Sequence, residues 1–478
     1  MRIMESAMQP GKPYAVRYDQ NFSAESDAGS PADALRRMQT DEASAKAGKE
    51  KPIKVDRNPE FLAVAADGDN PAPDHDDALD TLADFLVDGW HGYYGEDRRA
   101  FEIGADGVIG VQISGLSKAG QKLALHALDV WTTATGIDFK VVKTGAEIVI
   151  DDDFASAYTN TEVDGNTITS AFINISDEWL ASNGTGIYDY SMLTFIHEMG
   201  HALGLGHAGV YDFAGNPVYP DPPFANDSWQ ASIMSYFSQD ENDNVAADYA
   251  IPVTPMMADL LAIRELYGVA ELRTGDNVYG FKADFKAGAS LTVVDSGGID
   301  RLDFSWSKTA NVIDLHEEAF SSINGLEGNL AIARGTIIEA AIGGTGGDTM
   351  TGSDYANALY GNRGVDRLTG NGGEDFFVFD TAPSARNADT ITDFTVGIDS
   401  LVFNNAIFTR IGKDGTLDVD AFAANDAGVA ADRSDRVLYD TVTGEVFYDA
   451  DGSRAGKAVL VAEIGAGLAV SAADVLVI

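Results

Sequence analysis

The stretch that decides the fold runs from His197 to His207 and reads His-Glu-Met-Gly-His-Ala-Leu-Gly-Leu-Gly-His. The residues before it, Tyr190 to Ile196, are apolar enough to form a helix that faces a protein core. If this helix continues through the stretch, His197 and His201 lie one turn apart on the same face, where two imidazoles can bind one metal ion. Two histidines at this spacing also occur on ordinary helices, so the pair alone does not establish a metal site.

Three further residues turn this pair into a specific pattern, H-E-x-x-H-x-x-G-x-x-H. Gly204 lets the chain leave the helix through a backbone conformation that other residues resist, and His207 can then return as a third neutral nitrogen ligand. Glu198 lies next along the helix, within reach of a water molecule on the metal. We therefore predict a zinc ion held by His197, His201 and His207, with one coordination position open for water.

A second motif, Ser232-Ile233-Met234-Ser235-Tyr236, follows where metzincins place a methionine turn beneath the zinc ion. A lone methionine in an apolar run is usually core packing. Together with the metal motif and with the segments 254–259 (Thr-Pro-Met-Met-Ala-Asp) and 266–268 (Leu-Tyr-Gly), however, the sequence resembles one family closely. From about residue 80 to its end the chain is similar to the serralysins, secreted bacterial zinc endopeptidases of the metzincin group.

The resemblance implies a fold class and several residue roles. The fold is an α+β zincin/metzincin catalytic domain followed by an all-β domain, a parallel β-roll of RTX type with a β-sandwich. Met234 is the structural residue of the methionine turn, and Glu198 is the general base. Tyr236 is a retractable zinc ligand that also stabilises the tetrahedral oxyanion. The family's usual proline after the third histidine is Ala208 here.

The charge balance limits the partners and the means of stabilisation. The 478 residues include 75 acidic and 32 basic side chains, a formal net charge of −43. This excludes nucleic acid as the main partner, because phosphate binding needs basic surface. Solvated acidic surface accounts for part of the excess; several structural Ca²⁺ ions, which take oxygen ligands and cancel charge, are favoured for the rest. The absence of cysteine means that bound metals replace disulfides, and it excludes latency through a cysteine–zinc bond.

Composition divides the chain into three parts. Residues 1–75 are a largely irregular, propeptide-like segment, residues 76–270 form the zinc protease domain, and residues 271–478 form the calcium-binding β domain. In the first part, Asp69 is a candidate latency ligand that would cap the zinc ion in a zymogen, as the aspartate switch of the related astacins does. His75 is a rival for that role, and Asp-Gly-Asp is also ordinary linker composition.

In the protease domain, residue spacing predicts one long helix and four strands ahead of the metal motif. The helix covers Lys118 to Ala134, and its periodic apolar residues are Leu123, Leu125, Leu128 and Trp131. The predicted strands cover residues 108–114, 139–142, 147–150 and 170–175. By the resemblance to metzincins, the last strand is the sheet edge that pairs with an extended substrate; a plain core strand is the alternative.

The region from Gly343 to Val378 divides into four nonapeptides that match the G-G-x-G-x-D-x-U-x repeat of a parallel β-roll. The apolar eighth positions, which would fill the roll, are Met350, Leu359, Leu368 and Phe377. The polar sixth positions, which would meet Ca²⁺, are Asp348, Asn357, Asp366 and Asp375. Because two nonapeptides make one coil, Asp348 is expected near Asp366, and Asn357 near Asp375. A flexible glycine-rich linker is the alternative, and the second nonapeptide lacks most of the glycines.

The candidate calcium positions fall in three groups. The nonapeptides contribute Gly344, Gly346, Asp348, Asn357, Gly361, Arg363, Asp366, Gly370, Gly372 and Asp375. The resemblance to serralysins adds Arg273, Gly275, Asp276, Asp295, Gly297, Gly298, Asp300 and Glu339. Asp393 and Asp399 lie in the segment that would form the sandwich after the roll. Turn chemistry alone also explains Gly-Asp pairs.

The two termini bear on localisation. Met1 to Tyr18 contains no apolar core of a Sec signal peptide, and no run of the sequence is apolar enough to span a membrane. The chain ends Asp474-Val475-Leu476-Val477-Ile478, which resembles an uncleaved C-terminal signal for type I secretion; an edge strand explains these residues equally well. We expect an extracellular protein secreted without an N-terminal signal peptide.

The residues and the resemblance together predict a zinc metalloendopeptidase that hydrolyses internal peptide bonds and is made as a zymogen. The alternative is a calcium-dependent adhesin or binding module with a vestigial metal site, against which the complete zinc motif argues. The expected partners are protein or peptide substrates, the type I secretion machinery and a proteinaceous inhibitor. We expect a monomer.

Overall fold

The computed structural model describes residues 77–104, 107–211 and 224–478. The chain divides into two compact units, which we call the N-terminal unit (residues 78–245 with 251–270) and the C-terminal unit (residues 246–250 with 271–478). Asp69 and His75, the candidate latency ligands, lie outside the described residues. None of the helices in the described ranges is both long and apolar enough to cross a membrane.

The N-terminal unit combines helices with one mixed sheet. Its helices are α1 (Asp77–Asp84), α2 (Trp90–Tyr93), α3 (Lys118–Thr135), α4 (Asp177–Asn183), α5 (Tyr190–Ala202) and α6 (Met257–Tyr267). A π-helical turn, Phe85–Gly89, joins α1 to α2, and a 3-10 turn covers Gln239–Glu241. Its strands are β1 (Ala100–Phe101), β2 (Val108–Gln112), β3 (Asp138–Val141), β4 (Ile148–Asp151), β5 (Ala157–Asp164), β6 (Thr167–Ile175) and β7 (Ile251–Pro252).

Helix α3 forms where the apolar spacing predicted it. The Ser117 hydroxyl accepts a hydrogen bond from the Gly120 backbone N–H at its start, and Gly136, at a φ of 73°, ends it in the left-handed conformation that suits glycine. Trp131 is fully buried in the core, whereas Leu125 is 39% exposed. The assignment of Leu125 to the buried face was therefore wrong, because its position turns away from the stripe that Leu123, Leu128 and Trp131 share.

The sheet of the N-terminal unit runs in the order β1-β6-β4-β2-β3, all parallel, and β5 pairs antiparallel with β6. Strand β6, predicted as the sheet edge, thus has neighbours on both sides, and the edge strand next to it is β5. Strand β5 was not predicted, although a signal was present. Asp164 and Thr167 pair across the two-residue turn Gly165-Asn166, in which Gly165 has a φ of 59°, and Gly-Asn between two strand-like runs is a hairpin signal.

The C-terminal unit is built almost entirely from short strands. They are β8 (Val278–Tyr279), β9 (Ala289–Val293), β10 (Arg301–Asp303), β11 (Val312–Asp314), β12 (Phe320–Ser321), β13 (Leu330–Ile332), β14 (Ala340–Ile342), β15 (Thr349–Thr351), β16 (Ala358–Tyr360), β17 (Arg367–Thr369), β18 (Phe376–Phe379), β19 (Asp389–Ile391) and β20 (Ser400–Phe403). The later strands are β21 (Gly415–Thr416), β22 (Phe422–Asn425), β23 (Val437–Asp440), β24 (Glu445–Tyr448), β25 (Val459–Glu463) and β26 (Val475–Val477). One helix, α7 (Lys282–Lys286), and the 3-10 turns Val419–Ala421 and Ala472–Asp474 accompany them.

Strands β14 to β20 alternate along the chain between two sheets, whereas β9, β12 and β13 belong to a separate small sheet. One of the two alternating sheets contains β8, β10, β14, β16, β18 and β20 as parallel neighbours, and the other contains β11, β15, β17 and β19 in the same way. The predicted eighth positions pair across coils, Met350 with Leu368 and Leu359 with Phe377, and all four are buried in one apolar core. The nonapeptide region is therefore ordered β structure and not a flexible linker.

The chain end lies inside a sheet. Strand β26 has β20 on one side and β21 on the other, so that the edge-strand explanation of these residues does not hold. The Asp474 carboxylate is buried and accepts hydrogen bonds from the backbone N–H groups of Gly397 and Ser471, both at 2.7 Å. These contacts make the terminal residues an integral part of the fold.

Candidate active site and metal sites

The metal motif brings three imidazoles together at the end of α5. His197 and His201 lie on the helix, and His207 returns after it, so that one ring nitrogen of each lies within 4.8 Å of the others. Nε2 of His201 and Nε2 of His207 are 3.0 Å apart. Helix α5 is anchored from behind by Trp131, whose indole N–H donates to the Ile196 carbonyl at 3.0 Å.

The backbone fixes which nitrogen of each helical histidine is left to bind a metal. The Nδ1 of His197 lies 2.8 Å from the Ile233 carbonyl, and the Nδ1 of His201 lies 2.8 Å from the Leu205 carbonyl. Because a carbonyl only accepts, each Nδ1 carries the proton and each Nε2 keeps its lone pair. Burial lowers the pKa of His197 to about 4, and it lowers the pKa values of His201 and His207 well below their usual range. Three neutral imidazoles fit the donor set of a catalytic Zn²⁺ ion.

Two glycines shape the turn that returns His207. Gly204 has a φ of 106°, and a Cβ there would lie 2.1 Å from the Arg99 carbonyl oxygen. A Cβ on Gly206 would lie 2.5 Å from the Cβ of Trp90. After the third histidine, the backbone N–H of Ala208 donates to the Met234 carbonyl at 3.2 Å, a bond that a proline at this position could not make.

The methionine turn lies against α5. Met234 is fully buried, and a Cβ on Gly200 would come within 2.7 Å of its sulfur. The buried carboxylate of Asp259 secures the turn, since it accepts from the Ser232 hydroxyl at 2.6 Å and from the Ile233 N–H at 2.8 Å. Burial raises the pKa of Asp259 to about 6. Because the Ile233 carbonyl faces His197, this carboxylate contributes to the position of a predicted zinc ligand.

Glu198 is fully buried beside the three histidines. Its Oε2 accepts a hydrogen bond of 2.6 Å from the hydroxyl of Thr159, which lies on β5. Thr159 was not predicted, because the strand that carries it was not predicted. A carboxylate next to a metal-binding triad, held by a neutral donor, is suited to take up and release a proton.

Tyr236 lies next to the same histidines. Its ring centroid is 4.5 Å from that of His207 and 6.2 Å from that of His197. On its other side, the ring of Tyr211 is stacked at 4.5 Å, with an interplanar angle of 20°. The predicted oxyanion residue therefore borders the triad and is packed against a tyrosine that the sequence analysis did not select.

A cleft opens beside His201 and follows the edge strand β5. It is lined by Trp90, His91, Tyr94, Glu96, Arg99, Thr159, Asn160, Thr161 and Leu205. Arg99 forms an ion pair with Glu96 and donates to the Thr161 hydroxyl at 3.4 Å. The cleft thus runs from the triad along a strand edge and holds a fixed ion pair.

Four of the predicted calcium carboxylates, those of Asp276, Asp295, Asp300 and Glu339, lie close together at the start of the C-terminal unit. The Asp300 N–H donates to Glu339 at 2.7 Å, and the Ile299 N–H donates to Asp276 at 3.0 Å. Burial raises the pKa of Glu339 to about 7, and it raises that of Asp300 as well, with help from the neighbouring Asp295.

The other predicted residues of this group shape the loops around these carboxylates. Arg273 has a φ of 53°, and its guanidinium lies 5.3 Å from the centroid of the Tyr279 ring. The backbone carbonyl of Gly275 lies close to Gly298, where a Cβ would be 2.6 Å from it. The Gly297 N–H donates to the Asp295 carboxylate at 2.8 Å.

The sixth positions of the nonapeptides form two ladders. In the first ladder, the Asp348 N–H donates to Asp366 at 2.7 Å, and the Asp366 N–H donates to Asp389 at 3.1 Å. In the second, the Asn357 N–H donates to Asp375 at 2.9 Å, and the Asp375 N–H donates to Asp399 at 3.1 Å. Asp348 thus lies beside Asp366, and Asn357 beside Asp375, as expected from two nonapeptides per coil. Asp389 was not predicted.

The ladders carry charges that the described residues only partly compensate. The Oδ2 atoms of Asp366 and Asp375 are buried and have no hydrogen-bond partner among the described residues. Burial raises the pKa of Asp375 to about 8, and burial together with a neighbouring carboxylate raises those of Asp366 and Asp389. Oxygen ligands in such surroundings fit a hard divalent cation.

The remaining predicted positions lie around the ladders. The Gly344 N–H donates to Asp348 at 2.7 Å. The Gly370 N–H donates to Asp393 at 2.9 Å, and the second oxygen of Asp393 accepts from the Asn371 N–H at 2.8 Å, so that backbone donors occupy this carboxylate. The turns between the strands contain Gly346, Gly361, Arg363 and Gly372.

Two family models and several known proteases match parts of this chain. Residues 269–477 match the family model "Peptidase M10 serralysin C terminal", and residues 179–232 match the family model "Peptidase M66". The chain is 33% identical to the metalloprotease AprA of Pseudomonas entomophila over 52% of this chain and 55% of the relative. It is 43% identical to serralysin C of Dickeya chrysanthemi over 34% of this chain and 37% of the relative.

A third relative is the serralysin of Photorhabdus laumondii, which is 30% identical over 52% of this chain and 56% of its own length. The chain thus spans about half the length, or less, of these relatives. The matches confirm the predicted resemblance to serralysin-type metzincin proteases.

Proposed function

We propose that this chain, a serralysin-type metzincin by its sequence relationships, is a zinc metalloendopeptidase that hydrolyses internal peptide bonds of proteins. The observation that carries the proposal is the convergence of three neutral imidazoles, within 4.8 Å of one another, beside a fully buried glutamate. His197, His201 and His207 would hold the Zn²⁺ ion. When bound, the ion supplies Lewis-acid chemistry, which acidifies a water molecule and polarises the scissile carbonyl.

Glu198 carries the proton in the proposed reaction. Its buried carboxylate takes a proton from the attacking water and later gives it to the leaving amine. Thr159, whose hydroxyl lies 2.6 Å from Oε2, holds the carboxylate in one orientation during both transfers. Tyr236 donates a hydrogen bond to the oxyanion as the negative charge develops.

The substrate would bind as an extended chain along β5. Among the described strands, β5 pairs only with β6, so that its second edge is available for backbone hydrogen bonds with a peptide. Thr159 lies on this strand and contacts Glu198, so that a peptide paired with β5 passes beside the catalytic carboxylate. The cleft beside it, lined among others by Trp90, Tyr94 and Arg99, then offers room for substrate side chains.

The C-terminal unit is proposed to be a calcium-stabilised β-roll followed by a sandwich. The two ladders and the cluster of Asp276, Asp295, Asp300 and Glu339 would hold the ions, and the uncompensated oxygens of Asp366 and Asp375 support this assignment. Several Ca²⁺ ions would offset the repulsion between stacked carboxylates.

The physiological setting is proposed from the family. The chain would be secreted as a monomer by type I machinery, would act on extracellular proteins, and would be subject to a proteinaceous inhibitor. Asp69 is proposed to cap the zinc ion in a zymogen whose N-terminal segment is removed on activation. The complete triad and Glu198 argue against a binding module with a vestigial site.

The proposal is tested by casein hydrolysis in the presence of Ca²⁺, with and without a zinc chelator. We compare the full chain, a shortened chain that begins near Asp76, and Glu198→Gln in both. Glu198→Gln should keep its zinc, by elemental analysis, and lose about 10³-fold in kcat, because it removes the general base. The matched control is Glu178→Gln, which changes an exposed carboxylate on α4 and should leave the rate unchanged.

The two chain lengths separate latency from activity. Chelator-sensitive hydrolysis by the shortened chain alone would indicate a zymogen held latent by its N-terminal segment. An absence of hydrolysis in both forms, with zinc bound and the fold intact, would overturn the proposed activity. Near-normal hydrolysis by Glu198→Gln would remove Glu198 from the proton-transfer role.

A further inference from the structure

We infer that Tyr211 and Asp227 form a clamp that positions Tyr236 for its contact with the oxyanion. The inference rests on the proposed function and deepens it, because it adds two positioning residues to the same site. Neither residue belongs to the zinc motif or to the methionine turn, and the sequence analysis singled out neither.

The first part of the clamp holds the ring of Tyr236. The Tyr211 ring is 6% exposed and lies parallel to the Tyr236 ring, with centroids 4.5 Å apart and planes 20° apart. His207 borders Tyr236 on another side, at 4.5 Å between centroids. Because rings pack against Tyr236 on two sides, few orientations of its side chain are open. Tyr211 therefore restricts the direction of the Tyr236 hydroxyl.

The second part of the clamp fixes Tyr211 itself. Its hydroxyl donates to Oδ1 of Asp227 at 2.8 Å, and Asp227 is fully buried. This hydrogen bond fixes the position of the Tyr211 ring, and the stacking contact in turn fixes the position of the Tyr236 ring. Removal of the Tyr211 hydroxyl alone would keep the stacked ring but would let that ring shift relative to Tyr236.

The same carboxylate also fixes the backbone next to Tyr236. The hydroxyl of Ser235 donates to the same Oδ1 of Asp227 at 2.6 Å, and it accepts from the Phe237 N–H at 3.1 Å. The two residues that flank Tyr236 are therefore tied to Asp227 through one side chain. Asp227 controls both the ring, through Tyr211, and the chain, through Ser235.

This arrangement matters for catalysis because an oxyanion donor is effective only when it is already oriented. The hydrogen bond to the developing charge must form without reorganisation, and a misplacement of about 1 Å is costly. The hydroxyl of Tyr211 is directed at Asp227, so that it acts on the reaction through Tyr236. Tyr211 and Asp227 are thus positioning residues.

The test is a double-mutant cycle with Tyr211→Phe and Tyr236→Phe in the full Ca²⁺- and Zn²⁺-loaded chain, after removal of the N-terminal segment if latency is found. Tyr236→Phe should lower kcat about 100-fold, because it removes the oxyanion donor. Tyr211→Phe should lower kcat about tenfold with KM changed less than about twofold, since only the transition-state contact is misaligned. In the Tyr236→Phe background, Tyr211→Phe should cause no further loss, because the group on which it acts is gone.

Two further variants test whether the loss of kcat comes from a general effect on the fold. Tyr93→Phe, which changes a 66% exposed tyrosine, should leave kcat and KM unchanged. Asp227→Ala, which removes the acceptor of both the Tyr211 and the Ser235 hydroxyl, should show the same loss of kcat and the same non-additivity with Tyr236→Phe. Zinc content and the thermal midpoint are measured for every variant.

The possible outcomes are distinct. An equal loss of kcat from Tyr211→Phe in both backgrounds, or a loss that follows zinc content, would overturn the inference and leave the proposed function intact. If the wild-type chain binds zinc but hydrolyses no peptide, the proposed function fails, and the inference fails with it.

Discussion

The two units of the molecule prepare their proposed metal sites in opposite ways. In the N-terminal unit, His197, His201 and His207 are neutral, and backbone carbonyls hold the second nitrogen of the two helical histidines. In the C-terminal unit, carboxylates are stacked one above another, and the pKa of Asp375 is raised to about 8 by burial. The fold alone therefore places the ligands of the first site. In the second site, ionised carboxylates would be buried close together, which is unfavourable, and bound cations would offset this repulsion.

The largest expected difference between the units is their response to chelators. Removal of Ca²⁺ with EGTA at pH 8 should unfold the C-terminal unit, because each site filled at about 100 times its Kd contributes about 3 kcal/mol to stability. Removal of Zn²⁺ with a zinc-selective chelator should abolish hydrolysis but leave the N-terminal unit folded. Circular dichroism and calorimetry measure both. A spectrum that EGTA leaves unchanged would contradict the contrast, and so would unfolding of the N-terminal unit on loss of zinc.

A smaller effect is expected from pH in the absence of Ca²⁺. The buried carboxylate of Asp375 has a folded-state pKa of about 8 against an ordinary value of 3.8, so that the folded form binds its proton more tightly than the unfolded chain. Its contribution to stability is complete below about pH 4 and is lost as the pH rises to 8. Asp366 and Asp389 shift in the same direction.

The Ca²⁺-free C-terminal unit should therefore be about 3 kcal/mol more stable at pH 5 than at pH 8, so that at pH 5 it should regain structure that it lacks at pH 8, with a thermal midpoint roughly 10 °C higher. Saturating Ca²⁺ should abolish this dependence. Differential scanning calorimetry at several pH values measures it, and a midpoint that rises with pH would show that the carboxylates are stabilised in another way.

A local substitution with an effect of about the same size tests whether backbone geometry builds the proposed zinc site. Gly204→Ala places a Cβ 2.1 Å from the Arg99 carbonyl oxygen at a φ of 106°, and should destabilise the unit by about 3 kcal/mol. It should also weaken zinc binding about 10–100-fold, since the turn to His207 is displaced.

The matched control is Gly145→Ala, at a φ of 71° with no atom within 4 Å of the added Cβ. Gly145→Ala should lower the free energy of unfolding by about 1 kcal/mol and leave zinc affinity unchanged. Urea unfolding and zinc titration measure both variants. Equal zinc affinities for the two would contradict a backbone-determined site.

The parts of the fold that the sequence predicted are those with short-range spacing. The metal motif places its three histidines within a few residues of one another, so that helix periodicity and one glycine were enough to predict their convergence. The nonapeptides likewise predicted the contact between Asp348 and Asp366, which are 18 residues apart.

Residues that depend on long-range or irregular spacing were missed. Asp389 was missed because it follows Asp366 by 23 residues, after an insertion that breaks the nine-residue period; Asp399, 24 residues after Asp375, was predicted only from its place in the segment after the roll. Thr159 and Tyr211 reach the site only through tertiary packing, which no local pattern encodes. The edge strand β5 was the exception, since its Gly165-Asn166 turn could have revealed it.

The ladders of the C-terminal unit have a direction. In each described rung, from Asn311 to Asp348, Asp366 and Asp389, a backbone N–H donates to a carboxylate that comes later in the chain. The ladder that begins at Asn357 follows the same order. An early coil is therefore incomplete until a later one supplies its acceptor. Backbone N–H groups of the later coils donate in turn to carbonyls of the earlier ones, from Arg367 to Asp348 and from Ser400 to Asp375, so that neighbouring coils complete one another. A chain cut short within the ladder would leave a backbone donor of its last coil without its carboxylate acceptor.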